Sequence, residues 1–236
     1  IDKYEITQSQ FQRFVKATGY KTLAEKEGFS YQWNGREWQK ISGISWKNPF
    51  PKGIAEEIYF ARHPVVHVSW VDCVEYAKWA GGKLPSEAQW ERAARGEDKR
   101  KYPWGNEWPQ GTYFANATFH RSWEYIELDG YPYTAPVGSF VTGVSPYGCM
   151  DMSGNVWEWC QDDWETLWYQ RLFRESRGQQ RVYENLVNQG VGKYKSIRGG
   201  GWTPTPRDFR VTSRGRNHPH YRAGDLGFRL VVPGIE

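Results

Sequence analysis

Large aromatic rings constrain this chain more than any other feature of it. It carries 14 Trp, 15 Tyr and 11 Phe in 236 residues, against a hydrophobic fraction of only 39%. Such rings bury much area, yet their N–H and O–H groups still need partners, so the core is built from a few amphipathic rings rather than aliphatic stripes. The 25 Gly and 13 Pro favour loops over long helices or strands. No Pro/Ser-rich or charge-blocked segment divides the chain, which predicts a single domain over residues 1–236.

The net charge of +4 is mild and unclustered outside the C-terminal end, which argues against a nucleic-acid partner. No stretch has the apolar length of a membrane span. The chain opens at Ile1 inside a strand-like stretch without an initiator Met, as a trimmed chain would, so targeting is not legible. Cys73, Cys149 and Cys160 are odd in number and widely spaced, which favours buried free thiols, with a Cys149–Cys160 bridge left open.

Along the chain, Tyr4-Glu5-Ile6-Thr7 alternates like a strand, and Thr7 caps a helix with Phe11, Phe14 and Val15 on one face, closed by Gly19. Asn34-Gly35 marks a hairpin in a loop-rich region from Tyr20 to Pro51. His63–Trp70 reads as a short strand before a helix from Val71 to Trp79, and Ser86 caps a second helix bearing Trp90, Ala93 and Ala94. Residues 162–194 carry more charge and fewer core signals and read as a variable surface insertion. Short strands are expected near Tyr194–Arg198, Phe209–Ser213 and Gly227–Val232.

Five motifs then occur in one order: Lys83-Leu84-Pro85-Ser86-Glu87-Ala88-Gln89-Trp90-Glu91-Arg92-Ala93-Ala94-Arg95-Gly96, Tyr102-Pro103-Trp104-Gly105, Asp151-Met152-Ser153-Gly154-Asn155-Val156-Trp157-Glu158-Trp159, Arg198-Gly199-Gly200-Gly201-Trp202 and Gly227-Phe228-Arg229. In them the chain resembles the formylglycine-generating-enzyme (sulfatase-modifying factor) family. The resemblance implies that family's α+β fold, related to the C-type lectin fold, with little regular secondary structure. It also implies two structural calcium sites. One would use the Asn116 and Asp129 side chains with the carbonyls of Ala117 and Tyr131; the other would use Asp151 and Glu158 with the carbonyls of Gly154 and Val156. Oxygen donors of these kinds suit a hard cation. The bland alternative is that Asp129-Gly130 is only a turn and that Asp151 and Glu158 cap or pair with arginine.

The family's enzymes oxidise a substrate cysteine with a thiolate pair that binds copper, a soft-ligand chemistry. Here Pro204 stands at the first thiolate position, no cysteine follows it, and Gly201 replaces the family's Ser. The resemblance therefore implies the scaffold without copper. His63, His67, His120, His218 and His220 lack the helical spacing of the family's iron-dependent branches.

What remains is a recognition surface for a protein or other surface ligand, since loops on a rigid scaffold are where binding residues collect. The chain also resembles the variable proteins of diversity-generating retroelements, whose altered segment runs from the Gly-Gly-x-Trp motif to Gly-Phe-Arg. Their adenine-derived codons do not yield Lys, Glu, Gln, Met or Trp, and none of the five occurs between Thr203 and Gly227. Ligand-facing candidates are Trp202, Thr203, Thr205, Asp208, Phe209, Val211, Asn217, His218, His220 and Tyr221, with Trp157 and Asp225 bordering the family's groove. Arg207, Arg210, Arg214, Arg216, Arg222 and Arg229 read first as loop-locking residues. The alternative function is an oxidoreductase or accessory factor with a non-cysteine site, which calls for a buried ionisable group near Trp157 and Trp202.

Overall fold

The computed structural model describes residues 1–50, 60–108, 114–117, 130–177, 186–190, 192–203 and 209–232. Thr7 caps α1 (Gln8–Thr18) through a reciprocal box with Gln10, and Gly19 ends it in the left-handed region at φ 69°. A second box, Thr22 with Glu25, starts the single-turn α2 (Leu23–Glu27). The hairpin β1 (Phe29–Trp33) and β2 (Trp38–Ser42) follows around Asn34, whose side chain accepts the N–H groups of Arg36 and Glu37. Ser69 caps α3 (Trp70–Trp79), and Ser86 with Gln89 caps α4 (Glu87–Arg95).

Among the described residues the main sheet has four strands. Its long strand β3 (Trp157–Asp163) pairs antiparallel with β4 (Lys195–Arg198) and parallel with the two-residue β6 (Leu226–Gly227). The edge strand β5 (Gly215–Asn217) runs antiparallel to β4, and α5 (Trp168–Glu175) lies between β3 and β4 in sequence. This is the mixed, loop-rich α+β architecture that the motifs imply.

Rings do build the core. Phe11 stacks on Tyr76 with centroids 5.6 Å apart and meets Phe14, Trp46 and Phe228 edge-on, while Trp90, Met152, Cys160 and Val211 form a second cluster beneath α4. Trp46, Trp90, Trp159 and Trp202 each hand the indole N–H to a fixed acceptor: Trp46 to Glu25 Oε2, Trp159 to the Val68 carbonyl, Trp90 to Glu158 Oε2 and Trp202 to the Gly224 carbonyl. The rings thus tie loops to the sheet as well as filling volume.

Four expectations need correction; the strand expected over Gly227–Val232 is only the Leu226–Gly227 pair and an isolated bridge at Val231. Tyr4–Thr7 is not a sheet strand: Ile6 donates to the Phe228 carbonyl and accepts from Val65 N–H, so the segment is an extended spacer between two loops. His63–Trp70 likewise forms only a bridge at Pro64, because His67 adopts φ 60° and spends its ring on Ser30 Oγ and the Pro49 carbonyl. Phe209–Ser213 turns instead of pairing, with Val211 fully buried. Within 162–194, Asp162 and Asn188 are buried, and Asp162 accepts from the backbone N–H groups of Glu87 and Asn188. That region is therefore anchored to the start of α4 as well as lying on the surface.

All three cysteines are free and buried. Burial, and then neighbouring carboxylates, push the Cys73 and Cys160 thiols well above their ordinary range. No helix among the described residues is long and apolar enough to cross a membrane.

Candidate functional site

The first residue of β3 and the approach to β6 meet where Trp157 N–H donates to the Asp225 carbonyl at 2.7 Å. Parallel pairing of so short a strand brings Asp225 beside the glycine-rich turn that leaves β4. At Gly201 an added Cβ would lie 2.9 Å from Asp225 Oδ2 and 3.2 Å from Trp157 Cδ1, and at Gly215 one would lie 3.1 Å from Trp157 Cζ3. The two glycines therefore make room for the Trp157 indole and the Asp225 carboxyl.

Asp225 is 6% exposed and, among the described residues, accepts one side-chain hydrogen bond, from Thr203 Oγ1 at 3.2 Å. Among the described residues no lysine or arginine forms an ion pair with it. Burial raises its carboxyl pKa to about 7, with Thr203 only partly opposing the shift. Tyr221 is also pushed up, first by burial and then by the Asp225 charge, and its ring stacks on Tyr31 at 5.0 Å. Trp157, Tyr31 and Tyr221 are each half-buried, so ring surface stands open around an almost covered carboxyl.

The other candidates divide sharply. Trp202 is 2% exposed and packs with Phe50 and Tyr133, so it supports this surface from below rather than lining it. Phe209 and Val211 are buried and their side chains do not face solvent: Phe209 packs with Trp108 and Val211 with Trp90 and Cys160. Asn217 is half-buried at the end of β5, and His218 and His220 are exposed with rings 5.2 Å apart. Thr205 and Asp208 lie outside the described residues, as does Asp129. Two residues missing from the sequence reading stand beside the site. They are Tyr31 and Gln32 of β1, which reach it because β1 bridges to Ala223 and Tyr31 accepts from Gly224 N–H.

Arg198, Arg214, Arg222 and Arg229 act internally, while Arg210 and Arg216 are exposed and Arg207 lies outside the described residues. Arg229 and Glu158, both fully buried, join through two bonds of 2.7 and 2.8 Å, and Arg229 also donates to the carbonyls of Asp2, Lys3 and Met150. Arg198 bridges Glu87 and Glu91, and Arg214 also pairs with Glu87. Arg222 is spent on Glu27 and the carbonyls of Phe29 and His220.

The two groups of candidate calcium ligands differ in the same way. Asn116 is buried and its Oδ1 has no partner, while its Nδ2 is fixed by the Tyr133 carbonyl and Asn155 Oδ1. An oriented, orphaned oxygen fits a hard cation. At the second group both Glu158 oxygens already accept from Arg229 and Trp90, so Glu158 stands there as an arginine partner. Asp151 accepts from Gly138 N–H and faces Glu5, whose carboxyl is raised well above its usual range by burial and by Asp151. No cluster of three or more His, Cys, Asp or Glu suited to a metal occurs among the described residues.

With this geometry in place, comparison with known proteins is informative. The family model of the sulfatase-modifying factor enzyme 1-like domain matches residues 1–233. A formylglycine-generating enzyme of Thermomonospora curvata is 38% identical over 98% of this chain and 81% of its own length. The structure of PvdO from Pseudomonas aeruginosa superposes with a TM-score of 0.68 at 26% identity, covering 97% of this chain and 77% of that one. Treponema denticola variable protein 1 shares the fold at a TM-score of 0.55 and 18% identity, covering 96% and 81%. A family match along nearly the entire length, with a relative 38% identical over 98% of the chain, places this chain in the sulfatase-modifying factor family.

Proposed function

We propose that this chain is a non-catalytic recognition protein on the formylglycine-generating-enzyme scaffold. Its binding surface would be centred on Trp157, Thr203, Tyr221 and Asp225 and flanked by Asn217, His218 and His220. The observation that carries the reading is the location of the thiols. Cys160 is the last cysteine, and every cysteine is buried in a core cluster or helix face, so the segment after Gly201 offers no sulfur for a soft metal or for disulfide exchange. Residues 203–227, free of Lys, Glu, Gln, Met and Trp, suit the altered segment of a retroelement variable protein. A structural calcium ion held by Asn116 and Asp129 with the carbonyls of Ala117 and Tyr131 belongs to the same proposal.

The test has two parts. Incubation with Cu(I), oxygen and a cysteine-containing peptide, followed by aldehyde capture, is expected to give no formylglycine; aldehyde formation refutes the reading. Sequencing the gene across sister isolates is expected to place changes within 203–227, and evenly scattered changes refute the variable-protein form.

One observation favours a second reading, an oxidoreductase or accessory factor with a non-cysteine site: Asp225 is a buried ionisable group beside Trp157. A covered carboxyl beneath open rings suits holding a ligand better than enclosing a reaction.

A further inference from the structure

We infer that Asp225, Gln32 and the rings above them form a binding site for a ligand bearing a protonated amine or guanidinium. This deepens the recognition reading and rests on it. Four independent features converge.

The first is an uncompensated acid. Arg222 and Arg229, which flank Asp225 in sequence, are committed to Glu27 and Glu158, and Arg214 is committed to Glu87. A nearly buried carboxyl that no described cation pairs with has unused capacity for one, and a ligand that supplies the charge gains a charge-assisted hydrogen bond in a shielded setting. The second is Gln32, 2% exposed, whose side-chain Nε2 and Oε1 both lack a partner. Its Oε1 lies 2.2 Å from where a Cβ on Gly224 would stand, so the amide is aimed at the backbone immediately before Asp225. An unpaired amide in such a place is costly unless something else takes its bonds.

The third feature is the ring surface. Trp157 and the stacked pair Tyr31–Tyr221 are half-buried, and aromatic faces attract ammonium and guanidinium groups. The fourth is Gly201: a side chain there would collide with Asp225 Oδ2 and Trp157, so the glycine keeps the approach to the carboxyl clear. Donor count also selects the ligand class. Asp225, the Gln32 carbonyl and Thr203 Oγ1 offer several acceptors, which matches the three N–H bonds of an ammonium or the five of a guanidinium. A carboxylate ligand would be repelled.

The experiment titrates the full chain at pH 8 with Nα-acetyl-lysine amide, Nα-acetyl-arginine amide and the neutral Nα-acetyl-norleucine amide, following tryptophan fluorescence and heat. At least one cationic probe is expected to saturate, with the norleucine probe weaker by about tenfold or more. Asp225→Asn, checked for an undiminished melting temperature, is expected to weaken cation binding by about tenfold, and Trp157→Leu to weaken it as well. Equal binding of the norleucine probe, unchanged binding by Asp225→Asn, or no saturation by either cation below about 10 mM overturns the inference. A partner that binds wild type and Asp225→Asn alike would overturn this site while leaving the recognition reading intact. Aldehyde formation in the copper assay would sink that reading alone.

Discussion

Replacing Arg229 by Met tests what holds the C-terminal segment in place. Arg229 and Glu158 are each 0% exposed, and the guanidinium satisfies both Glu158 oxygens and three backbone carbonyls. Met fills much of the volume but leaves a buried carboxylate unpaired beside Glu5 and Asp151, so the loss should be that of a broken buried pair, about 3–5 kcal/mol. For a chain of this size that is roughly 6–20 °C in melting temperature. The cost should depend on pH in a definite sense. Burial holds Glu5 and Asp151 above their unfolded values, reinforced by the Asp151 charge on Glu5 and the Glu158 charge on both, so their contribution is fully present in acid and is lost as pH rises through the folded pKa. Losing the guanidinium raises both further, so Arg229→Met should be closest to wild type near pH 5 and furthest from it near pH 8. Guanidinium-chloride unfolding at both pH values measures this, with Glu158→Gln/Arg229→Met as the control that removes both charges and should recover part of the loss. A deficit under about 1 kcal/mol at pH 8, or one that does not shrink in acid, would refute the view that this pair neutralises the buried acids.

Asp225→Asn should stabilise the fold above pH 7. The wild-type carboxyl has a folded pKa of about 7, so its stabilising share is present in acid and is lost as pH climbs, by up to about 4 kcal/mol; the Asn variant should flatten that slope in pH-dependent melts. Gly201→Ser should cost about 1–3 kcal/mol in chemical unfolding, since its Cβ meets Asp225 and Trp157, and a neutral result would mean the turn relaxes freely. Chelation with EDTA should lower the melting temperature of wild type and leave Asn116→Leu unmoved; a wild-type melt indifferent to chelator sinks the calcium proposal. Native protein should react negligibly with a thiol reagent and release all three thiols on unfolding, as titration with a disulfide chromophore will show.

Local chemistry was readable from the sequence wherever a single side chain decides the outcome. Thr7 and Ser86 cap their helices, Gly19 closes α1 and Asn34-Gly35 turns the hairpin, each through bonds spanning at most four residues. The family motifs extended that reading to the fold, because they fix the order of the sheet strands around Glu158 and Arg198. Alternation misled at Tyr4–Thr7 because it reports half-burial, and a spacer between two loops is half-buried too. Trp202, Phe209 and Val211 looked like surface because they sit in a segment rich in arginine, yet Arg198 donates to the Val211 carbonyl, Arg214 and Arg222 pair internally, and the apolar side chains pack inward while Arg210 and Arg216 stay exposed. Tyr31 and Gln32 carried no signal at all. They meet the 222–224 segment across some 190 residues of sequence, and only the assembled sheet brings the two together.

Asp225 is the residue that makes sense only as part of a site. Asparagine would keep an acceptor for Thr203 Oγ1, fit the same volume beside Gly201 and remove the desolvation that holds the carboxyl near pH 7. Charge burial therefore favours the amide, although its N–H groups would need a partner of their own, and the acid costs stability across the neutral range. Gln32 repeats the pattern one residue away, with a buried amide whose bonding capacity the fold leaves unused. Two neighbouring polar groups that each weaken the folded state, beneath aromatic faces that the packing leaves open, are consistent with a place where stability is given up for binding. The negative charge then defines the ligand's required feature, because a neutral partner would be served as well by asparagine.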